Sequence, residues 1–536
     1  MHFGRRCRRL KQHGDNKPAY YENLRDLVLH AGEMFPQTQF FLCSDTSLPF
    51  ITGQGLQDAC GQFGSWIRHR GQTGVHIALL GPNSAAWLTC FFSVVSSGCA
   101  VVPLYFGAPV EDLISCVRRS DTTILLYDRS CDKEATAIQA ALPGLEIMEM
   151  HALLYILDQV ADHSFPALPQ DSVGALFFTS GTTAESRCVM LTHRNMGAMV
   201  TTAMNSLPLS PDDVGLSLMP PSHTYEFMTN IVGALHCGGR LYINQSLRTV
   251  KSNLKALEPT ILVCVPLVLQ MLQKEIRAVA RRTGRAEALE NALKLNRSLR
   301  KLGIDFSRHL FQDVYAVLGK NLRYFLCGGA ALNPDLIDFF DGLGITVFQG
   351  YGITECSPIV AANFPGANRP GSIGRVFPCC EVTLIDGEIC VRGDSVSPGY
   401  YNDPEATAWY FRDGWFHTGD LGRFDEDGYL YFTGRCKNLI VLSNGENVSP
   451  EALEAKLGAI EGVQESVVYQ KDGRITAEVY ADPQFFPDRE SLWQEISKLN
   501  RTVSSFQQIG ELVMRDKPFE KTVTQKIKRF ESGKES

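Results

Sequence analysis

The sequence lacks most of the signatures that assign a class at a glance. No CxxC pair occurs among its 16 cysteines, and Cys379–Cys380 is the only close couple. The spacing therefore offers neither a zinc ribbon nor a disulfide framework. Cysteines such as Cys90, Cys99, Cys264 and Cys327 lie in apolar runs, where the residue acts as a small hydrophobe. There is no excess of basic charge: the formal net charge is −7, which excludes a strongly basic nucleic-acid binder. No GxxxxGK[ST] loop and no GxSxG elbow occur, so neither a Walker A nucleotide site nor a serine-hydrolase nucleophile is present. No apolar run is long enough to span a bilayer, since the longest charge-free stretch, Ile77–Val110, is broken by Pro82, Asn83, Ser84, Gly98 and Pro103. With scattered thiols and no signal-peptide pattern, the expectation is a cytoplasmic protein.

What is present is a chain of 536 residues, 44% hydrophobic and 20% charged, long enough for more than one domain and a sizeable core. One basic cluster, Arg5, Arg6, Arg8, Arg9 and Lys11, reads as a solvated tail or as weak attraction to an anionic membrane surface. Up to about residue 430, short apolar runs alternate with helical patterns, the mark of an α/β architecture. Strands are expected at Val75–Leu80, Ala100–Leu104, Thr123–Tyr127, Val173–Thr179, Thr260–Val265, Leu322–Cys327 and Thr346–Gln349. Helices are expected at Tyr21–Met34, Ala85–Ser96, Val110–Arg119 and His193–Met204, with a helical stretch over Pro266–Leu302 turning at Thr283-Gly284. From Gly371 the character becomes β, with strands at Val382–Ile385, Glu388–Arg392 and Leu430–Thr433 separated by Asp-Gly turns. The last hundred or so residues read as a small α+β unit: a strand at Leu439–Leu442, a helix capped by Ser449, paired strands Val463–Gln470 and Ile475–Ala481, and a helix over Asp488–Leu499.

Several short motifs carry chemistry. Thr179-Ser180-Gly181-Thr182-Thr183 follows a buried strand and offers hydroxyls and backbone N–H groups to a phosphate, with Arg187 nearby; read alone, such a loop is equally a plain turn. Gly350-Tyr351-Gly352-Ile353-Thr354-Glu355 follows the strand Thr346–Gln349, at the end of a strand where α/β proteins bind ligands. There a ring can stack on a base, a hydroxyl can meet a phosphate and a carboxylate can hold Mg²⁺; the alternative is a turn before a helix capped by Thr354. His417-Thr418-Gly419-Asp420 precedes a strand, and its aspartate either accepts ribose hydroxyls or closes a turn. Gly434-Arg435 and the lysine-rich Lys521–Arg529 are solvated charge clusters when read singly. Their fixed order along one chain is what chance does not supply.

In that order the motifs resemble the adenylate-forming superfamily of acyl-CoA synthetases, peptide-synthetase adenylation domains and firefly luciferase, over residues 20 to 530. The family's phosphate loop, [ST]SG[ST]TGxPKG, is matched here at its first five positions and altered at the next four defined ones, Ala184, Ser186, Arg187 and Cys188. Met219-Pro-Pro-Ser-His223 resembles the substrate-side motif, and Gly328-Gly329-Ala330 the segment flanking adenine and the acyl pocket. The resemblance implies that Tyr351 and Gly352 lie against adenine, Thr354 meets the α-phosphate, Glu355 ligates Mg²⁺, and Asp420 and Arg435 hold the ribose. It further implies a hinge at Lys437, a pantetheine channel at Gly445 and a catalytic lysine at Lys526, preceded by Gln525 where the family has glycine. The fold implied is a large α/β domain of packed sheets with a β-barrel-like subdomain, residues 1–434, and a small mobile α+β lid, residues 435–536.

The activity implied is ATP-dependent conversion of a carboxylic acid to an acyl-adenylate with release of pyrophosphate, then transfer to the thiol of coenzyme A. The helical stretch Pro266–Leu302 and the ending Phe519–Arg529 resemble bacterial long-chain fatty acyl-CoA synthetases, which points to a medium- to long-chain fatty acid. Two other classes stand beside this: a ligase for another acid or for a carrier-protein phosphopantetheine thiol, and a non-catalytic nucleotide or acyl binder. The cofactors implied are ATP, Mg²⁺ and coenzyme A as co-substrate. An acyl carrier protein is a conceivable partner, nucleic acid is not, and membrane contact is at most peripheral.

Overall fold

Residues 20–42, 51–179, 186–244, 249–330, 332–442, 446–521 and 527–529 are described by the structure, a computed structural model. The basic N-terminal cluster, Ser180–Thr183, Ala184, Gly445, Gln525 and Lys526 lie outside the described residues. Two large sheets form the body. The first has six strands in the spatial order Glu146–Glu149, Thr122–Tyr127, His76–Leu80, Ala100–Pro103, Val173–Phe178 and Cys188–Thr192. All its pairings are parallel except the last. Its strands are near-continuous apolar runs because helices cover both faces. One of them, Ala85–Ser96, is buried along its whole length, started by the Ser84 hydroxyl accepting from the Trp87 N–H at 3.1 Å.

The second sheet has seven strands ordered Arg240–Ile243, Val214–Ser217, Ile261–Cys264, Tyr324–Cys327, Thr346–Gly352, Ile359–Ala362 and Arg375–Val376. It is parallel as far as Thr346–Gly352, where the chain hairpins back and the pairing turns antiparallel. Helices Pro266–Arg282 and Ala286–Lys301 fill the stretch expected to be helical, broken at Thr283 as the Thr-Gly pair requires. A third, antiparallel sheet of five strands is built from Cys380–Ile385, Glu388–Gly393, Phe411–Arg412, Trp415–Phe424 and Leu430–Arg435. Beyond it Val463–Lys471, Arg474–Ala481 and Glu511–Arg515 form a three-stranded sheet, with helices Pro450–Leu457 and Arg489–Asn500 and a separate hydrophobic cluster running from Ile440 to Leu512.

Two expectations are corrected. The Tyr351 segment is the end of a strand, since Thr346–Gly352 runs three residues past Gln349 and pairs with Ile359–Ala362. His417–Asp420 lies inside the strand Trp415–Phe424 rather than before one; Gly419, at φ +73°, and a bulge at Leu421/Gly422 interrupt its alternation and disguised it as a turn. Cys188 opens the strand Cys188–Thr192, opposite Phe178, and is buried in the core. The side chain that replaces the family's glycine there therefore fills the sheet.

Gly352 is required by its neighbour. A Cβ on it would stand 2.2 Å from the Pro358 carbonyl oxygen, whereas one on Gly350 would meet nothing closer than the Ala362 Cβ at 3.5 Å. Gly352→Ala is therefore expected to cost about 1–3 kcal/mol or more by overpacking, and Gly350→Ala much less. Thermal melts of the two variants beside the parent check the difference.

Candidate active site

The hairpin Val173–Phe178/Cys188–Thr192 sets the first wall. At its mouth the Thr179 N–H donates to the Arg187 carbonyl at 2.9 Å, and the Arg187 N–H returns a bond to Thr179 Oγ1 at 3.1 Å. Thr179 and Arg187 thus close the neck of the hydroxyl-rich loop. The Arg187 guanidinium lies over two rings, 5.5 Å from the centroid of Tyr400 and 4.6 Å from that of Tyr410, and so is held by cation–π attraction, with no ion pair to a carboxylate among the described residues. Tyr400 arrives because the segment Pro398–Tyr401 pairs against Cys188–Thr192: Met190 N–H donates to Gly399 O and Tyr401 N–H to Cys188 O.

Tyr400 connects this wall to the second. Its hydroxyl donates to Glu355 Oε1 at 2.8 Å. Glu355 is 5% exposed and its other oxygen, Oε2, has no hydrogen-bond partner among the described residues. Burial raises its pKa, offset in part by the Tyr400 bond and the nearby Arg187 charge, and reinforced by Asp420. A buried carboxylate with one oxygen unanswered is costly unless something meets it. Mg²⁺ fits this donor set, taking one carboxylate oxygen and completing its shell with phosphate and water oxygens.

Thr354, beside Glu355, approaches Thr224 with Oγ1···Oγ1 at 3.4 Å. This brings the segment Met219–His223 to the same place. His223 Nδ1 accepts from the Tyr225 N–H at 3.3 Å and caps the short helix Thr224–Glu226, which leaves the ring proton on Nε2. Tyr225 donates to Leu326 O at 2.9 Å, and Gly328 packs on its ring, where a Cβ would lie 3.1 Å away. Gly329, at φ +82°, and Ala330 follow, both exposed.

The third wall is the five-stranded sheet. Asp420 and Arg435 are register partners, with Arg435 Nε 3.1 Å from Asp420 Oδ1. The Tyr351 hydroxyl donates to Asp420 Oδ2 at 2.8 Å. Tyr351, Asp420 and Arg435 thus form one chain of contacts, and Thr179, Arg187, Glu355, Thr354 and His223 another; Glu355 and Asp420 sense each other's charge between them. The positions of Ser180, Gly181, Thr182, Thr183, Gly445 and Lys526 are outside the described residues. The chain around Lys526 is anchored: Lys521 reaches Glu465 and Arg529 reaches Glu454 and Glu451.

Sequence reasoning missed Tyr400, Tyr410 and Glu226. The Pro398-Gly399 dipeptide before two tyrosines was the available signal for Tyr400. Glu226 gave none, being one carboxylate after an ordinary motif. It is fully buried, with Asn230 Nδ2 donating to Oε1 at 2.9 Å, and it precedes a π-helical turn, Phe227–Ile231.

The comparisons with known proteins agree on a class. The AMP-binding enzyme family model matches residues 31–401. Long-chain-fatty-acid–CoA ligase 5 of Rattus norvegicus is 24% identical over 566 residues, covering 90% of this chain and 83% of the relative. Long-chain-fatty-acid–CoA ligase FadD15 of Mycobacterium bovis is 28% identical over 429 residues, covering 74% and 71%. Among solved structures, an anthranilate CoA ligase, AuaEII, in complex with anthranoyl-AMP superposes with a TM-score of 0.77 at 21% identity, covering 96% of this chain and 97% of that one. ATP-bound MatB from Rhodopseudomonas palustris gives 0.77 at 23% identity, covering 95% and 97%. These two establish the fold.

Burial pushes the Glu226 pKa up to about 7. A carboxyl protonated in the fold and ionised in the unfolded chain stabilises below the unfolded value and loses that contribution as pH rises to the folded one. Raising the pH from 4.5 to 8 is expected to remove about 3 kcal/mol through this group alone. Glu226→Gln should flatten that part of the profile, checked by melting both proteins across the range.

Proposed function

Because the chain belongs to the AMP-binding enzyme family, we propose that it activates a medium- to long-chain fatty acid with ATP and passes the acyl group to coenzyme A. The observation that carries this is the buried, half-satisfied Glu355 standing between Thr354, Tyr400 and Arg187. A nucleotide-binding protein without chemistry has no use for a carboxylate kept so expensively. The chain length is supported by the names of the relatives, long-chain fatty-acid ligases, and by the paired helices Pro266–Arg282 and Ala286–Lys301.

In the first step a carboxylate oxygen of the acid attacks the α-phosphorus in line and pyrophosphate departs. Tyr351 offers its face to adenine. Asp420, held by Tyr351 and Arg435, presents its carboxylate to the ribose hydroxyls. Arg187 is lightly held over two rings and moves to the phosphates at little cost. His223 presents its Nε2 proton to the carboxylate of the acid. Glu355 would hold Mg²⁺, which when bound supplies charge neutralisation on the phosphate oxygens. Lys526 adds a second cation to the developing negative charge. In the second step the thiolate of coenzyme A attacks the acyl carbon and AMP leaves. The small C-terminal unit, residues 435–536, turns about Lys437 between the steps, exchanging Lys526 for Gly445 at the site. No side chain forms a covalent bond to the acyl group.

Carboxylate-dependent pyrophosphate release, measured over short to long fatty acids and several aryl acids with and without coenzyme A, tests this. Release with long acids that rises with coenzyme A is expected. Lys526→Ala should cut it roughly a hundredfold or more while leaving thioester formation from supplied acyl-adenylate. Stimulation by a phosphopantetheine-bearing carrier protein and not by coenzyme A would replace the acceptor. Silence with every acid in protein that still binds ATP would overturn the fatty-acid assignment.

A further inference from the structure

A second cluster lies on the same sheet, away from the Glu355 wall. Glu388 and Cys390 on one strand face His417 on its neighbour, and the three ligand-type atoms lie within 4.8 Å of one another. His417 Nδ1 is 2.9 Å from Glu388 Oε2 and 3.4 Å from Cys390 Sγ. A tetrahedral Zn²⁺, with Zn–S of about 2.3 Å and Zn–N of about 2.0 Å, separates such a sulfur and nitrogen by about 3.5 Å. Within the protein alone the arrangement is frustrated. Arg412 Nη2 stands 3.1 Å from the same Nδ1. With a proton on Nδ1 the ring opposes Arg412; without one its lone pair opposes the Glu388 carboxylate. A cation bound by all three groups removes that conflict.

We propose that Glu388, Cys390 and His417 form a binding site for a thiophilic divalent cation such as Zn²⁺, in which the ion displaces the Arg412 guanidinium. Arg412 is exposed and has somewhere to go, since its other nitrogen already bonds the Trp409 carbonyl and its guanidinium lies 5.7 Å from the Trp409 ring. Ions enter from that side. The spacing of cysteines along the chain hides this site because its ligands come from two neighbouring strands. The donor set of thiol, imidazole and carboxylate suits Zn²⁺ and not Mg²⁺.

The site touches the machinery at one point: the Gly419 N–H donates to Glu388 Oε1 at 2.8 Å, one residue before Asp420. Any effect of the ion on turnover rests on the reading of Asp420 above; the binding itself does not.

The test loads the metal-free full chain with ZnCl₂, follows binding by competition with a chromophoric chelator, and repeats it with Co²⁺ to read the thiolate-to-metal absorption. One equivalent and a cobalt–thiolate band are expected. Cys390→Ser should lose affinity by about tenfold or more, at least the cost of removing a mere supporting partner, with Cys116→Ser as the control. Arg412→Ala should bind more tightly than the parent, a gain that no folding defect imitates. Equal binding in the parent, Cys390→Ser and Arg412→Ala, or no binding in any of them, overturns the proposal. Binding is read without turnover, so its failure is distinct from failure of the ligase activity; where turnover is present, Zn²⁺ should slow it in the parent and not in Cys390→Ser.

Discussion

One ionisable group organises the site: the carboxylate of Glu355, taken out of water with a hydrogen bond from Tyr400 on one oxygen and, among the described residues, no partner on the other. Such a group is tolerated only where the surrounding backbone leaves it no alternative. Its own carbonyl accepts the Ser397 N–H, the strand behind it ends against Pro358, and Tyr400 is locked by the pairing of its segment with Cys188–Thr192. Three sheets therefore converge on this residue. The large fold is the means by which one carboxylate is kept dry and one oxygen open.

The two acidic groups of the site are held differently. Asp420 lies beside the permanent charge of Arg435 and accepts a hydrogen bond from Tyr351. Glu355 is answered chiefly by a neutral hydroxyl, with Arg187 engaged on aromatic faces nearby, and burial raises its pKa. A carboxylate paired with a permanent cation thus sits beside one whose ionised form gains most when a cation arrives. The division follows from solvation and neighbours, since the residue types are nearly the same.

Where the sequence was legible, the reason is physical. The helices Ala85–Ser96, Val110–Arg119 and His193–Met204 are bounded as expected, and Ser84 and Thr192 are local capping residues whose effect needs no tertiary context. The parallel strands were legible as apolar runs too short for helices. The strand Trp415–Phe424 was not, because Gly419, at φ +73°, and the bulge at Leu421/Gly422 break its alternation while a neighbouring strand on each side pairs with it. The site motifs carried Tyr351, Thr354, Glu355, Asp420 and Arg435 because each lies in a short local signature. Tyr400, Tyr410 and Glu226 join through chain reversals far away in sequence, and no local pattern encodes that.

The first sheet ends on Cys188–Thr192, whose outer edge is met among the described residues by Ser397–Tyr401, and the core beneath it also takes in Ile359, Phe377 and Tyr400. During synthesis Ser397–Tyr401 emerge some 200 positions after the strand they cover, about 10–40 s at ordinary elongation rates. For that interval the nascent chain presents an unprotected β edge over an unfinished apolar layer. The ribosome-bound chain should thus depend on a holding chaperone until about Tyr401 has emerged, and truncation anywhere between the two large sheets would yield an aggregating stump.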